Sequence, residues 1–147
     1  MIIAIGADHR GYAHKELLTG KLAGAGHEVV DCGPASAVSC DYPEAAFRVA
    51  EMVGGGEAAV GILICGSGIG MSIAANKVAG IRASLCQDAE AARTTRQHND
   101  SNVLCLSGDR IAPAAAVPIV EAYLAAGFEG GRHARRVDLI TAYENRH

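Results

Sequence analysis

Short apolar runs alternate with longer amphipathic segments along the whole chain. The apolar runs predict five β-strands, at 2–6, 28–31, 60–65, 82–85 and 102–106. The amphipathic segments predict helices that end near residue 25, span about 44–53, end near 77, and span about 89–97, 113–125 and 135–145. Because strands joined by helical crossovers form right-handed βαβ units, we predict one α/β domain over residues 1–147. Its expected architecture is a three-layer α/β/α sandwich around a five-stranded, doubly wound, Rossmann-like parallel sheet.

In parallel sheets of this kind a ligand binds beyond the carboxyl ends of the strands. The segments expected at that edge are 8–9, 31–42, 65–70, 87–88 and 107–110. Candidate functional residues are therefore sought first in these loops.

Composition narrows the choice of partner. The chain of 147 residues carries a net charge of -3, has no Trp and only two Phe, and lacks an extended basic stripe, which argues against nucleic-acid binding. No apolar run approaches the roughly 20 residues that cross a bilayer, and no signal peptide is recognised at Met1. We expect a cytoplasmic protein that does not bind a membrane.

The five cysteines give no framework of disulfides or metal ligands. Their number is odd and none is paired as C-x-x-C. We therefore expect neither a metal nor another cofactor, and we expect most of these cysteines to be small buried hydrophobes.

The segment Gly66-Ser67-Gly68-Ile69-Gly70 follows the clearest predicted strand and leads into a helix. Glycines at such a turn allow backbone amides to face an anion, although the Lys of a Walker A loop is missing. Cys65 ends the strand, where nearby amides and a helix N-terminus can lower a thiol pKa from about 8.5. The alternative is a tight turn without a ligand beside an inert buried cysteine.

Three further groups could take part in the chemistry. His98 lies in a polar segment, and Asp8-His9 follows the first strand; both histidines could act as acid or base near neutral pH. The alternatives are a loop histidine bonded to backbone and an aspartate that only caps a helix. Arg132 and Arg136 are four residues apart and could hold a phosphate between two guanidiniums, or form a solvated basic turn.

Several motifs, in order along nearly the whole chain, resemble those of the type B ribose-5-phosphate isomerases and their galactose-6-phosphate isomerase relatives. The motifs are Gly6-Ala7-Asp8-His9-Arg10-Gly11, Cys40-Asp41-Tyr42-Pro43, the segment from Gly61 to Gly70, Ala74-Ala75-Asn76-Lys77, Arg96-Gln97-His98-Asn99-Asp100 and Glu129-Gly130-Gly131-Arg132-His133.

The resemblance implies a complete set of roles for an aldose–ketose isomerase. Cys65 would remove the proton from C2 of the open-chain aldose, the amides from Gly66 to Gly70 would stabilise the enediolate, and Ser67 would help move protons between O1 and O2. His98, with Asp8, would open the furanose ring. The phosphate ligands implied are His9, Arg110, Arg132, His133 and Arg136, and the ligands of sugar hydroxyls are Asp41, Tyr42 and Asn99. The pocket of the family is shared between subunits, so a homodimer is the expected minimum, and a tetramer is the alternative.

Two comparisons within the family favour ribose 5-phosphate as the substrate. One branch uses a glutamate at the position that Met71 occupies here. Because a methionine cannot be a base, the resemblance leaves the proton transfer to Cys65. The galactose-6-phosphate relatives lack His98 and the segment 130–133, both of which are present here. The segment 34–40 matches the family loosely, so allose 6-phosphate, galactose 6-phosphate and a tetrose phosphate are the alternative substrates.

Other classes of function give different expectations. A non-catalytic module would bind a phosphosugar without turning it over. A thiol redox protein would form a reversible disulfide at Cys65 with Cys40, Cys86 or Cys105. Metal catalysis ranks last, because no cluster has ligand spacing, and we expect chelators to leave the rate unchanged.

Overall fold

The computed structural model describes residues 1–147 and contains five strands and six helices. The strands are β1 (Ile2–Ala7), β2 (Glu28–Asp31), β3 (Val60–Cys65), β4 (Ala83–Leu85) and β5 (Val103–Ser107). The helices are α1 (Tyr12–Gly24), α2 (Tyr42–Gly54), α3 (Ile69–Ala75), α4 (Ala89–Asn99), α5 (Pro113–Ala125) and α6 (Arg132–Glu144). None of the helices combines the length and the apolar character needed to cross a bilayer.

The five strands form one parallel sheet in the order β2-β1-β3-β5-β4. The predicted fold class, an α/β sandwich around a five-stranded parallel sheet, is confirmed. The chain leaves β1 toward one side of the sheet for β2 and toward the other for β3, so the carboxyl ends of β1 and β3 form the switch point at which ligands bind in open α/β sheets.

Each face of the sheet is covered by its own apolar cluster. Successive side chains of a strand point to opposite faces. Along β3, Ile62 and Ile64 therefore join the cluster that contains residues of α1 and α5, while Leu63 and Cys65 join the cluster that contains residues of α2 and α3. All six residues of β3 are buried, which makes this central strand a rigid support for the loop that follows it.

Four helix boundaries differ from the predictions. Helix α2 begins at Tyr42 rather than near 44, with a proline in its first turn, and α3 ends at Ala75 rather than near 77. Helix α4 extends to Asn99 instead of ending at 97, because the chain turns at Asp100 with a φ of 46°. Helix α6 begins at Arg132 rather than 135, directly after Gly131 with its φ of 57°. As a result, His98 and Arg132 lie on helices rather than in loops.

A side chain protects the outer edge of the sheet at β4. Asn76 Nδ2 donates to the carbonyl of Ala83 over 2.9 Å, and the amide of Ala83 donates to Asn76 Oδ1 over 2.8 Å. The amide group of Asn76 thus makes the two hydrogen bonds that a neighbouring strand would make with Ala83.

Candidate active site

Cys65 lies at the carboxyl end of the central strand β3, at the switch point of the sheet. The amide of Asp8 donates to the carbonyl of Ile64 over 3.1 Å and so joins the end of β1 to the end of β3. Cys65 is only 3% exposed. The position agrees with the sequence-based prediction of a candidate nucleophile or base at this edge.

The loop 66–70 curls around the sulfur. Gly68 adopts a left-handed conformation with a φ of 75°, and its amide donates to Cys65 Sγ over 3.2 Å. The amide of Ile69 donates to Ser67 Oγ over 3.1 Å, whereas those of Gly66, Ser67 and Gly70 have no acceptor in the chain. Free amides beside a sulfur can stabilise an oxyanion, and one preorganised donor is typically worth about 2.7–4 kcal/mol.

The turn after β5 holds this loop in place. The amide of Gly108 donates to the carbonyl of Cys65 over 2.8 Å, and the carbonyl of Gly66 accepts from the amide of Asp109 over 3.0 Å and from Ser107 Oγ over 2.7 Å. In a trans peptide the N–H points away from the carbonyl, so these bonds turn the amides of Gly66 and Ser67 away from the β5 turn. The sequence predicts 107–110 at this edge but indicates no role for Ser107, since a lone serine after a strand carries no motif.

Asp8 and His9 are fixed at the same edge. Asp8 is 5% exposed, and its Oδ1 accepts from the amides of Arg10 and Gly11 over 2.9 and 3.2 Å. It closes a turn ahead of α1, whose N-cap residue is Gly11, not Asp8. Nδ1 of His9 accepts from the amide of Cys40 over 3.3 Å, which leaves Nε2 as the nitrogen that carries the proton when the ring is neutral.

Tyr42 contacts the loop 66–70 directly. A Cβ on Gly70 would lie 2.5 Å from Tyr42 Cζ, so only a glycine lets this ring pack against the loop. Asp41 is exposed and precedes α2, and Arg110 is exposed just after β5. All of these side chains belong to the carboxyl edge of the sheet, as the sequence predicts.

The other predicted site residues form a second group. Helix α4 runs back from the end of β4 to the start of β5, which places His98 and Asn99 at the amino edge of the sheet. The amide of Glu129 donates to the carbonyl of Gln97 over 3.0 Å and holds the start of α6 at this same end. Arg132 and Arg136 are both exposed and lie one turn apart on α6.

His98 and His133 are stacked in this second group. Their ring centroids are 4.2 Å apart and their planes differ by 8°. The Glu129 carboxylate lies 3.6 Å from His133 Nε2 and 3.9 Å from His98 Nε2. Desolvation, followed by the charges of His98 and Arg132, lowers the pKa of His133, and the Glu129 carboxylate opposes this.

The group formed by His98, Glu129 and His133 offers three donor atoms within 4.8 Å of one another, as metal sites do. A metal ion, however, lies in the plane of each imidazole that binds it, along the nitrogen lone pair. Because the two rings are stacked in parallel planes, no ion could bind both without rotating one of them. The stacked arrangement therefore does not suit a metal ion.

Three of the other thiols are poor nucleophiles. Burial raises the pKa of Cys32 and of Cys105, and it raises the pKa of Cys86 to about 11. All five cysteines are free, and Cys32, Cys65, Cys86 and Cys105 are buried. These three raised pKa values agree with the expectation that most cysteines act as small buried hydrophobes.

A doubly wound fold with a cysteine and free loop amides at its switch point is typical of enzymes that act on small molecules. The sequence model of the Ribose/Galactose Isomerase family matches residues 3–140, and the chain belongs to this family.

Individual relatives cover almost the whole chain. The chain is 49% identical to ribose-5-phosphate isomerase B of Escherichia coli over 144 residues, 98% of this chain and 97% of that protein. Among solved structures, ribose-5-phosphate isomerase B of Clostridium thermocellum superposes with a TM-score of 0.97 at 46% identity, covering 99% of both chains. Ribose-5-phosphate isomerase B of Mycoplasma genitalium, solved with bound ribulose 5-phosphate, superposes with a TM-score of 0.96 at 42% identity. The match covers 99% of this chain and 97% of that one.

Proposed function

We propose that this protein interconverts ribose 5-phosphate and ribulose 5-phosphate. The observation that carries the proposal is the position of the Cys65 sulfur, 3.2 Å from the Gly68 amide and beside free amides of the same loop. A base next to unpaired donors is what an enediolate intermediate requires. The Mycoplasma genitalium relative, whose structure holds ribulose 5-phosphate, supports this choice of sugar.

The reaction moves one proton from C2 to C1 and one proton from O2 to O1, with no net oxidation. The Cys65 thiolate takes the proton from C2 of the open-chain aldose, and the electron pair of that C–H bond forms the C1–C2 double bond. The π pair of the C1–O1 carbonyl moves to O1, which gives the enediolate. The amides of Gly66, Ser67 and Gly70 stabilise the negative oxygen. The Ser67 hydroxyl carries a proton from O2 to O1, and the Cys65 thiol then returns its proton to C1, which gives the ketose.

The other polar residues bind and prepare the substrate. We assign the opening of the furanose ring to His98, with Asp8 assisting. Two further sets of residues are assigned to substrate binding. The sugar hydroxyls contact Asp41, Tyr42 and Asn99, and the phosphate contacts His9, Arg110, Arg132, His133 and Arg136.

These assignments require a second copy of the chain. Cys65 and His98 lie at opposite edges of a sheet whose central strand has six residues, which corresponds to a depth of about 17 Å. A pentose phosphate is too short to span that depth. We infer that the His98 group of one copy completes the Cys65 site of another, in a homodimer or in a tetramer built from such dimers.

Exposed apolar side chains support self-association. Ile69 and Ile73 lie one turn apart on α3 beside the catalytic loop and are 53% and 56% exposed. On α6, Leu139 and Tyr143 are 67% and 66% exposed, beyond the turn that carries the arginines. Apolar surfaces next to both halves of the site are suited to contact between copies.

The cavities of a single chain agree with an incomplete site. The largest cavity, of about 780 Å³, lies between β2 and α2 and is lined in part by Cys32, Arg48 and Met52. It includes neither Cys65 nor the loop 66–70, so we do not assign the reaction to it. A smaller cavity of about 70 Å³ lies at the carboxyl edge of the sheet and is lined in part by Asp41.

We place the reaction in the cytoplasm. All five cysteines are free, and Cys40 is half-buried. Free thiols of this kind persist in a reducing compartment.

The test is a panel of isomerisation rates with ribose 5-phosphate, allose 6-phosphate, galactose 6-phosphate and erythrose 4-phosphate. We expect ribose 5-phosphate to be preferred and Cys65→Ala to lower its turnover by about 10²–10⁴-fold, the usual contribution of a general base. Cys40→Ala, at a half-buried thiol near the same edge, is the matched control and should retain turnover.

Each other outcome has a distinct meaning. A preference for another sugar would keep the chemistry and change the substrate. Substantial turnover by Cys65→Ala would remove Cys65 as the base. Binding of phosphosugars without turnover of any of them by the wild-type protein would show a binding module and overturn the isomerase proposal.

A further inference from the structure

Glu129 is held beside His98 by the backbone on both sides of it. Its amide donates to the carbonyl of Gln97, the residue before His98, over 3.0 Å. Gly130 and Gly131 follow with φ values of 67° and 57°, which L side chains rarely adopt, and they turn the chain back into α6. This turn brings the Glu129 carboxylate and the His133 ring to the same end of α4.

The carboxylate lies close to one ring nitrogen of each histidine. Glu129 Oε2 is 3.6 Å from His133 Nε2 and 3.9 Å from His98 Nε2. The His133 side chain is 9% exposed and the His98 side chain 40% exposed, so the stack has a buried ring and a ring that solvent or a substrate can reach. Glu129 itself has no other ion pair.

The charges around the stacked rings favour one proton on the pair over two. Two imidazolium rings with centroids 4.2 Å apart repel each other, and Arg132 and Arg136 on α6 add further positive charge. Desolvation, and then these charges, lower the pKa of His133. Glu129 is the acidic side chain that faces both rings, and it favours the protonated form of either.

We propose that Glu129 is a positioning residue that fixes the stacked rings of His98 and His133 and stabilises one proton on the pair, carried mainly by the accessible His98. His133 then serves as the neutral platform on which His98 is stacked. This inference rests on the proposed function, in which His98 exchanges a proton with the sugar during ring opening.

The direct test is an NMR titration of the imidazole signals in the full-length protein, with His98 and His133 assigned from His98→Gln and His133→Gln. We expect Glu129→Gln to move the titration midpoint of the stacked pair down, because a part-exposed ion pair is lost. Glu129→Asp keeps the charge and should shift the midpoint less. Glu121→Gln, at an exposed carboxylate of α5 without an ion pair, should leave it unchanged.

The pH profile of kcat/KM on ribose 5-phosphate provides the second readout. We expect the limb that reports His98 to move with the NMR midpoint in Glu129→Gln and to return toward its wild-type position in Glu129→Asp. A loss of fold alone would lower the rate without moving the limb, so the shift separates a positioning role from a structural one.

The two proposals can fail separately. Unchanged midpoints in Glu129→Gln, in an enzyme that isomerises ribose 5-phosphate, would overturn the role of Glu129 and leave the proposed function intact. A downward midpoint shift in a protein that turns over none of the sugar phosphates would keep the link between Glu129 and the stack but overturn its use in ring opening. If Glu129→Gln does not fold, the wild-type protein provides the test: a midpoint and a limb position that are the same in low and in high salt overturn the charge effect.

Discussion

The amide of Gly68 donates a hydrogen bond to the sulfur of Cys65 over 3.2 Å. This bond exists because Gly68 adopts a φ of 75°, which turns its N–H back toward the end of β3. A hydrogen bond to sulfur favours the thiolate, so the conformation of one glycine is tied to the reactivity of one cysteine.

Gly68→Ala should lower kcat by at least about tenfold. The left-handed conformation costs an L residue about 1–2 kcal/mol, and the new Cβ would lie 2.5 Å from Leu85 Cδ1 and 2.9 Å from the backbone of Leu106, so the loop must move away from the sulfur. Steady-state kinetics on ribose 5-phosphate measures the effect. Gly56→Ala, with a φ of 78° in open space, carries the same backbone cost and should leave kcat unchanged.

Gly11→Ala should destabilise the fold, whereas Gly20→Ala should stabilise it. A Cβ on Gly11 would overlap the carbonyl oxygen of Ile64 at the end of β3, and overpacking of this kind typically costs about 1–3 kcal/mol. Gly20 lies inside α1 with nothing near its Cβ position, where alanine is favoured by about 1 kcal/mol. Urea unfolding of both variants checks the pair, and equal shifts would contradict the close approach at Gly11.

Mixing two inactive variants should restore activity if the site is shared between copies. Cys65→Ala damages the loop and Arg132→Ala damages the phosphate-binding group, so a mixed dimer contains one intact site. After co-refolding of equimolar chains, we expect about a quarter of the wild-type sites to be active, the fraction given by random C₂ pairing.

The control for this experiment uses two lesions in the same loop. Cys65→Ala mixed with Ser67→Ala should regain nothing, because every site then contains one damaged loop. If neither mixture regains activity, all of the functional residues act within one chain, which contradicts the shared site.

Asp31→Asn should destabilise the protein through Lys15. The Lys15 side chain is fully buried, and its Nζ lies 2.6 Å from Asp31 Oδ2 and 3.3 Å from Glu16 Oε1. Because Asp31 is itself 43% exposed, we expect a loss of about 2 kcal/mol, below the roughly 3–5 kcal/mol for breaking a wholly buried pair. Urea unfolding measures the loss. Glu16→Gln should cost under about 1 kcal/mol, and an equal cost for both would refute the assignment to Asp31.

Stability should fall in alkaline solution as Cys86 ionises. Its pKa is raised by burial from 9.0 to about 11, so the folded state holds the thiol proton more tightly than the unfolded state does. The resulting stabilisation is complete below pH 9.0 and is lost as the pH rises toward 11. Burial raises the pKa of Tyr123 and Cys105 in the same direction. Urea midpoints across this range test the trend, and the slope should be shallower in Cys86→Ala.

The sequence predicts the sheet and the catalytic loop because both depend on local pattern. The apolar run 60–65 followed by Gly66-Ser67-Gly68 indicates a buried strand and an amide-lined turn without knowledge of the rest of the fold. Helix ends are less accurate, since the extension of α4 to Asn99 depends on the left-handed turn at Asp100. Asp100 is also held by Arg82, 18 residues away, and no local pattern shows that contact.

The relations between distant residues could not be predicted. The bond from Ser107 to the Gly66 carbonyl and the stack of His98 on His133 join segments 41 and 35 positions apart, and they follow from the strand order and from the Gly130-Gly131 turn. The positions of Cys65 and His98 at opposite edges of the sheet follow from the direction of α4. The sequence predicts α4 as a helix but does not show where its end lies relative to Cys65.

The side chain of Asn76 has a consequence for how the protein behaves at high concentration. An unpaired edge strand is a template on which another chain can add a strand, and repeated addition leads to fibrous aggregates. In this protein the edge strand β4 is only three residues long, and Asn76 already occupies both backbone groups of Ala83. In the dimer proposed above, copies of the chain would associate through their helices, and β4 would be a poor template for the addition of further strands.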